Sequence, residues 1–154
     1  MIESDVEAVV KAQISAVLPT APSDFTGAWD VVNAGEVKGR EKPGNGLHLS
    51  VAVAPRAFDS FTTPTANLSV SIALKVDFGR DPTGESFHGL CAAILDLLQT
   101  WQRSISDVKA AFAVTDFAPC GLRVDGGDIS RDTEANVWIF TQSFTLRGVI
   151  SQTA

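Results

Sequence analysis

From Leu68 to Phe78 the chain alternates without a break. Leu68, Val70, Ile72, Leu74, Val76 and Phe78 fall on one side, and Asn67, Ser69, Ser71, Ala73, Lys75 and Asp77 on the other. Successive side chains of a strand point to opposite faces, so this period of two predicts a long strand with one apolar and one polar face. Strands of an all-parallel sheet are apolar on both sides, whereas an antiparallel sheet covered on one face shows this pattern. A shorter run repeats it, with Leu47, Leu49, Val51 and Val53 against His48, Ser50, Ala52 and Ala54. The two runs form the natural antiparallel pair, and their polar side should meet solvent or a partner subunit.

A covered face needs helices with apolar stripes. Phe87, Leu90, Cys91, Ile94, Leu95, Leu98 and Trp101 recur at three- and four-residue steps, which predicts a helix near Glu85 to Trp101. Val6, Val9, Val10, Ile14, Val17 and Leu18 make a second stripe, in a helix starting at Ser4 and stopped by Pro19. Ser4 and Glu7 have capping-box spacing, and Glu3, Asp5 and Glu7 put negative charge at the positive end of the helix dipole. The same acids stand where a secretory leader carries positive charge, so Ile2 to Pro19 reads as a helix and not a leader. No apolar run approaches the ~20 residues of a membrane-crossing helix.

Elsewhere the signals are shorter. A strand is expected around Trp29 to Val32, and Phe58 and Phe61 lie in a connection. Val108, Ala110, Phe112 and Val114 alternate like a strand. Leu122 and Val124 suggest a short strand ending in an Asp125-Gly126-Gly127-Asp128 hairpin turn. The closing strand, Asn136 to Ile150, sets Trp138, Phe140, Phe144 and Leu146 against Val137, Ile139, Thr141, Ser143, Thr145, Arg147 and Val149. Residues 35–46, rich in glycine and charge, read as a projecting loop or hairpin tip. With 154 residues and 45% hydrophobic content, the chain fits one domain, residues 1–154. The fold class is α+β, a largely antiparallel sheet with two helices packed on one face.

Charge and chemistry narrow the function classes. Twelve basic against 18 acidic residues give a net charge of −6, which argues against broad binding to nucleic acid or an acidic membrane. Cys91 falls on the apolar side of a helix and Cys120 in a Pro-Cys-Gly turn; spacing leaves a disulfide between them open. His88 and Cys91 are three apart with no further ligand, and His48 sits alone on a strand. Asp125 to Asp128, with Asp132 and Glu134 nearby, lacks the alternating ligands of a calcium loop. Neither a zinc spacing, a Walker sequence nor a GxGxxG occurs. Ser86, Ser104, Ser106 and Ser143 are outside any nucleophile elbow. Trp29, Trp101 and Trp138 read as packing anchors. Lys38, Arg40 and Lys42, interleaved with Glu36 and Glu41, read as a solvated loop.

The order of elements resembles the tail-terminator or tail-completion proteins of long-tailed bacteriophages and prophages, which join tail to head. The resemblance runs from the Ser4–Leu18 helix through the strand ending Leu68–Phe78, the Phe87–Trp101 helix and the closing strand. It is carried most by Asn136-Val137-Trp138-Ile139-Phe140-Thr141-Gln142-Ser143-Phe144-Thr145-Leu146-Arg147-Gly148. The resemblance implies a virion structural protein forming a homo-oligomeric ring, a hexamer before other sizes, that caps the tail tube. Its partners would be the tail-tube protein and a head connector or neck protein, in a virion tail or neck assembled in the bacterial cytoplasm. DNA would meet it only as the passing genome, and no membrane, enzymatic reaction or cofactor is implied. Subunit contacts are expected at Val37, Lys38, Arg40 and Lys42 in the loop and at Lys75 and Arg147 on the polar strand faces. The glycine- and charge-rich 35–46 segment and the 57–66 connection depart from the simplest family picture. The alternatives are another phage neck adaptor, or a small-ligand-binding or enzymatic α+β domain with a deep pocket using His48 or Asp125.

Overall fold

The computed structural model describes residues 1–17, 30–33, 47–58, 64–77, 83–134 and 136–151. The elements, in chain order, are α1 (Ile2–Val17), β1 (Asp30–Asn33), β2 (Leu47–Val53), β3 (Ala57–Phe58) and β4 (Thr65–Asp77). They continue with α2 (Glu85–Arg103), α3 (Ile105–Ala111), β5 (Phe117–Asp132) and β6 (Val137–Ile150). The strands form one sheet in the order β1-β2-β4-β6-β5, with β3 added beside β4. β1 runs parallel to β2, and the remaining pairings are antiparallel. The architecture is α+β, as expected.

Register explains the core. Leu49, Leu74, Phe140 and Ile129 lie in one row across the sheet, and Val53, Val70, Phe144 and Val124 in another. This is the face the helices cover. Val6, Val10 and Ile14 of α1 are fully buried, as are Phe87, Ile94 and Leu98 of α2. Trp101 joins helix to sheet, with its ring 5.0 Å from Phe112 and 6.1 Å from Phe144 in edge contacts. Trp138 stacks on Phe87 at 5.6 Å. Both tryptophans are packing anchors; Trp29 and the 35–46 segment lie outside the described residues.

Gly84 starts α2 where only a glycine fits well. Its φ of 74° is left-handed, and a Cβ there would stand 3.1 Å from the Trp138 ring. The helix can therefore begin flush against the sheet.

Three sequence expectations are corrected. Residues 105–111 form a helix, not a strand. Ser104 ends α2 by donating its N–H to the carbonyls of Thr100 and Trp101, then caps α3 by accepting the Asp107 N–H at 3.3 Å. Val108 and Phe112 are buried one helical turn apart, so three helices are present among the described residues, not two. α1 begins at Ile2 rather than at a Ser4 capping box, and the Ser4 hydroxyl instead donates to the Met1 carbonyl. The Asp125-Gly126-Gly127-Asp128 turn is an irregularity inside β5, which runs on to Asp132.

The N-terminal helix is tied to the sheet by charge as well as packing. Arg56, just after β2, grips Glu3 with two parallel hydrogen bonds of 2.6 and 2.8 Å. The Arg56 bonds hold the Glu3 carboxyl down at about 2, from an ordinary 4.5. A depressed carboxylate adds stability that is present above its unfolded value and lost as pH falls through the folded one. Wild type should therefore melt above Glu3→Gln at pH 6, and the gap should close between about pH 4.5 and 2. Thermal melts of both proteins across that range test this. A gap unchanged down to pH 2 contradicts it.

Candidate assembly surface

The sheet face opposite the helices is a carpet of small polar groups. Asn67, Ser69 and Ser71 of β4 pair across with Arg147, Thr145 and Ser143 of β6. Beyond them on β5 come Gly121, opposite Arg147, and Arg123, opposite Thr145. Ser69, Ser71, Arg123, Thr141 and Arg147 are exposed, and no described helix packs on this side. The alternation of β4 and β6 foretold this face.

The middle of β5 is shaped by a bulge. Register shifts between Val124 and Gly127, which inserts Asp125 and Gly126 as unmatched residues. Gln142 stands in the core-facing row beside the bulge and is 6% exposed. Its amide donates to the carbonyls of Asp125 at 2.8 Å and Ser143 at 3.0 Å. A Cβ at Gly127 would overlap the Gln142 side chain and lie 2.8 Å from the Thr141 carbonyl oxygen. The glycine thus leaves room for the amide that satisfies the bulge. On the polar face, Ser143 donates its hydroxyl to the Gly126 carbonyl at 3.1 Å.

Asp125 turns onto the polar face. Its carboxylate accepts from the Thr145 hydroxyl at 2.7 Å and from the Arg123 guanidinium at 2.8 Å. Thr145 first, and then Arg123, hold its carboxyl below the usual range. Both oxygens are used within the β5–β6 pair, so Asp125 serves the bulge. Among the described residues, no group of three or more His, Cys, Asp or Glu side chains is arranged to hold a metal ion.

Arg147 and Arg123 flank a shallow basin of about 340 Å³, lined also by Asn67, Gly121, Leu122 and Thr145. Space is open above Gly121, where a Cβ would meet nothing within 4 Å. The basin is a notch in the polar face. Of the residues expected at subunit contacts, Arg147 is exposed on this rim. Lys75 lies on the same face in register with Ile139, yet it is 5% exposed, which alternation alone did not foresee. Val37, Lys38, Arg40 and Lys42 lie outside the described residues. Arg123 was missed because its position opposite Thr145 depends on the β5–β6 register, which no local pattern encodes.

Cys91 is buried, with its thiol pushed up to about 12 by burial, whereas Cys120 is exposed; both thiols are free. His88 is exposed on α2 and Cys91 is buried, so the pair does not converge. The His48 backbone belongs to β2, and its side chain lies outside the described groups. No described helix is long and apolar enough to cross a membrane.

Comparison with known structures gives the fold a setting. A chain from the virion of a native gene transfer agent particle superposes with a TM-score of 0.53 at 18% identity, covering 94% of each chain. The fold is shared nearly end to end. At that identity the likeness is one of fold. No family model matches the chain, and no curated protein does either.

Proposed function

We propose that this chain is a structural subunit of a phage-type virion, which closes the head-proximal end of a tail tube as a homo-oligomeric ring. The observation that carries the reading is the end-to-end fold likeness to a chain of a gene transfer agent virion. It agrees with the resemblance of the helix and strand order to tail-terminator proteins. The polar face supports it as well, since its exposed part around Ser69, Ser71, Thr141 and Arg147 leaves an area of the subunit available for assembly.

The physical logic is simple. A heterologous contact between identical subunits grows without limit unless its rotation closes, and a closed ring satisfies every contact. Such a ring presents a different surface from the tube beneath it and so ends tube growth. A net charge of −6 also suits passage of DNA, because like charge disfavours adhesion of the phosphate backbone. The role is one of shape and binding, with no reaction and no cofactor.

Negative-stain electron microscopy of the purified chain tests the proposal. Annuli of uniform diameter with a central opening are the expected image. Isolated particles without an opening at every concentration, together with a metabolite bound in a pocket, would instead favour a ligand-binding domain.

A further inference from the structure

We infer that the Arg123–Arg147 basin receives the acidic tip of the β5–β6 hairpin from a second copy of this chain. The inference rests on the homo-oligomer reading above and names a contact within it. The β5–β6 hairpin carries opposite charge at its two ends. At its base, Arg123 and Arg147 flank the notch over Gly121, with Asp125 alongside. At its tip, Asp132 and Glu134 outnumber Arg131. Arg123 and Arg147 are exposed at the base, as Glu134 is at the tip.

Reach decides that the occupant comes from another molecule. Arg147 and Val137 stand at opposite ends of β6, and at ~3.3 Å per residue that span is roughly 33 Å. β6 is hydrogen-bonded along its length to β4 and β5, so the hairpin cannot fold back to deliver its own tip. The tip of this chain therefore cannot enter its own basin, and a tip seated there comes from another molecule.

Charge points to a copy. The chain has a net charge of −6, so a basic notch on it is complementary to the surface of its own neighbours. Arginine pairs carboxylates through two parallel N–H donors, which suits the carboxylate of Glu134. Turn chemistry presents that acid. The Glu134 N–H donates to the Asp132 carboxylate at 3.0 Å, and Asn136 adopts a left-handed φ of 57° to enter β6. Tip and basin are different patches, so the contact runs head to tail, the type that closes into a ring when the rotation allows.

Charge reversal tests the contact. Self-association is measured by sedimentation velocity over a concentration series for wild type, Arg147→Glu, the tip variant Glu134→Lys, and the combination. Each reversal is expected to weaken association at least about tenfold, and the combination to regain most of the loss. Raising salt from 0.05 to 0.5 M should weaken wild type and leave the folded subunit intact. Arg147→Gln, a milder change, should fall between wild type and Arg147→Glu, and thermal melts confirm that each variant is folded. Annuli whose assembly is unchanged by either reversal overturn the inference and leave the ring reading standing. Charge-dependent association that stops at pairs or open chains does the reverse. A strict monomer at every concentration overturns both. A fluorescein-labelled DNA duplex bound by wild type and lost in Arg147→Glu, with self-association unchanged, makes the basin a phosphate site and also overturns the inference.

Discussion

Phe144→Ala is expected to cost about 3–5 kcal/mol, the range for deleting a fully buried aromatic ring. Phe144 is fully buried in the interior strand β6, in register with Val70 on one side and Val124 on the other. Above it, the Trp101 ring approaches edge-on at 6.1 Å, and Trp101 in turn meets Phe112 at 5.0 Å. Removing the ring deletes its own burial and leaves a void that two helices and three strands cannot all collapse to fill. It also removes an aromatic edge contact of about 0.5–1.5 kcal/mol beyond area burial. A typical domain has only about 5–15 kcal/mol in total, so the variant sits near the limit of folding. Phe144→Leu keeps most of the volume and should cost clearly less. Urea unfolding of the three proteins measures the series. A loss below about 1 kcal/mol for the alanine variant would mean that this row of the sheet is not the core.

Leu98→Ala tests the other half of the interface. Leu98 is fully buried in the C-terminal half of α2, a turn before Trp101. Truncation should cost about 2–5 kcal/mol, with the spread set by how far the helix can settle onto the sheet. Gln99 is the neighbour on the exposed face, and Gln99→Ala should stay within about 0.5 kcal/mol of wild type. The contrast between adjacent positions is the point. Equal effects at 98 and 99 would detach α2 from the sheet and remove the layered architecture with it.

How much of this was legible beforehand follows from the range of each signal. β4 and β6 declared themselves because alternation is local and helices cover one face of the sheet, so the residues of one parity are mostly buried. α2 did so through seven stripe positions, of which Phe87, Leu90, Cys91, Ile94, Leu98 and Trp101 are all buried. α3 was misread because Val108, Ala110, Phe112 and Val114 also fit a period of two. The better signal was Ser104 followed three residues later by Asp107, which makes a cap.

The bulge was read as a turn because two glycines between aspartates usually end a strand. Here Gln142, seventeen residues away from Asp125, supplies the bonds that let β5 continue. Only the fold brings those residues together. The same holds for the candidate surface. Arg147 could be picked out on the polar side of a strand, but its partnership with Arg123 across Gly121 is a product of register. Lys75 shows the opposite failure, since parity set the correct face without revealing that the side chain is covered.

The mass of the assembled protein in solution tests the central claim most directly. Sedimentation equilibrium or native mass spectrometry over a hundredfold range of concentration should give one dominant species at a fixed integer multiple of the 16.3 kDa chain. A closed ring stops there, and its mass does not rise with further protein. A species that stays at one chain throughout, or one that keeps growing as protein is added, would contradict a ring-forming virion subunit.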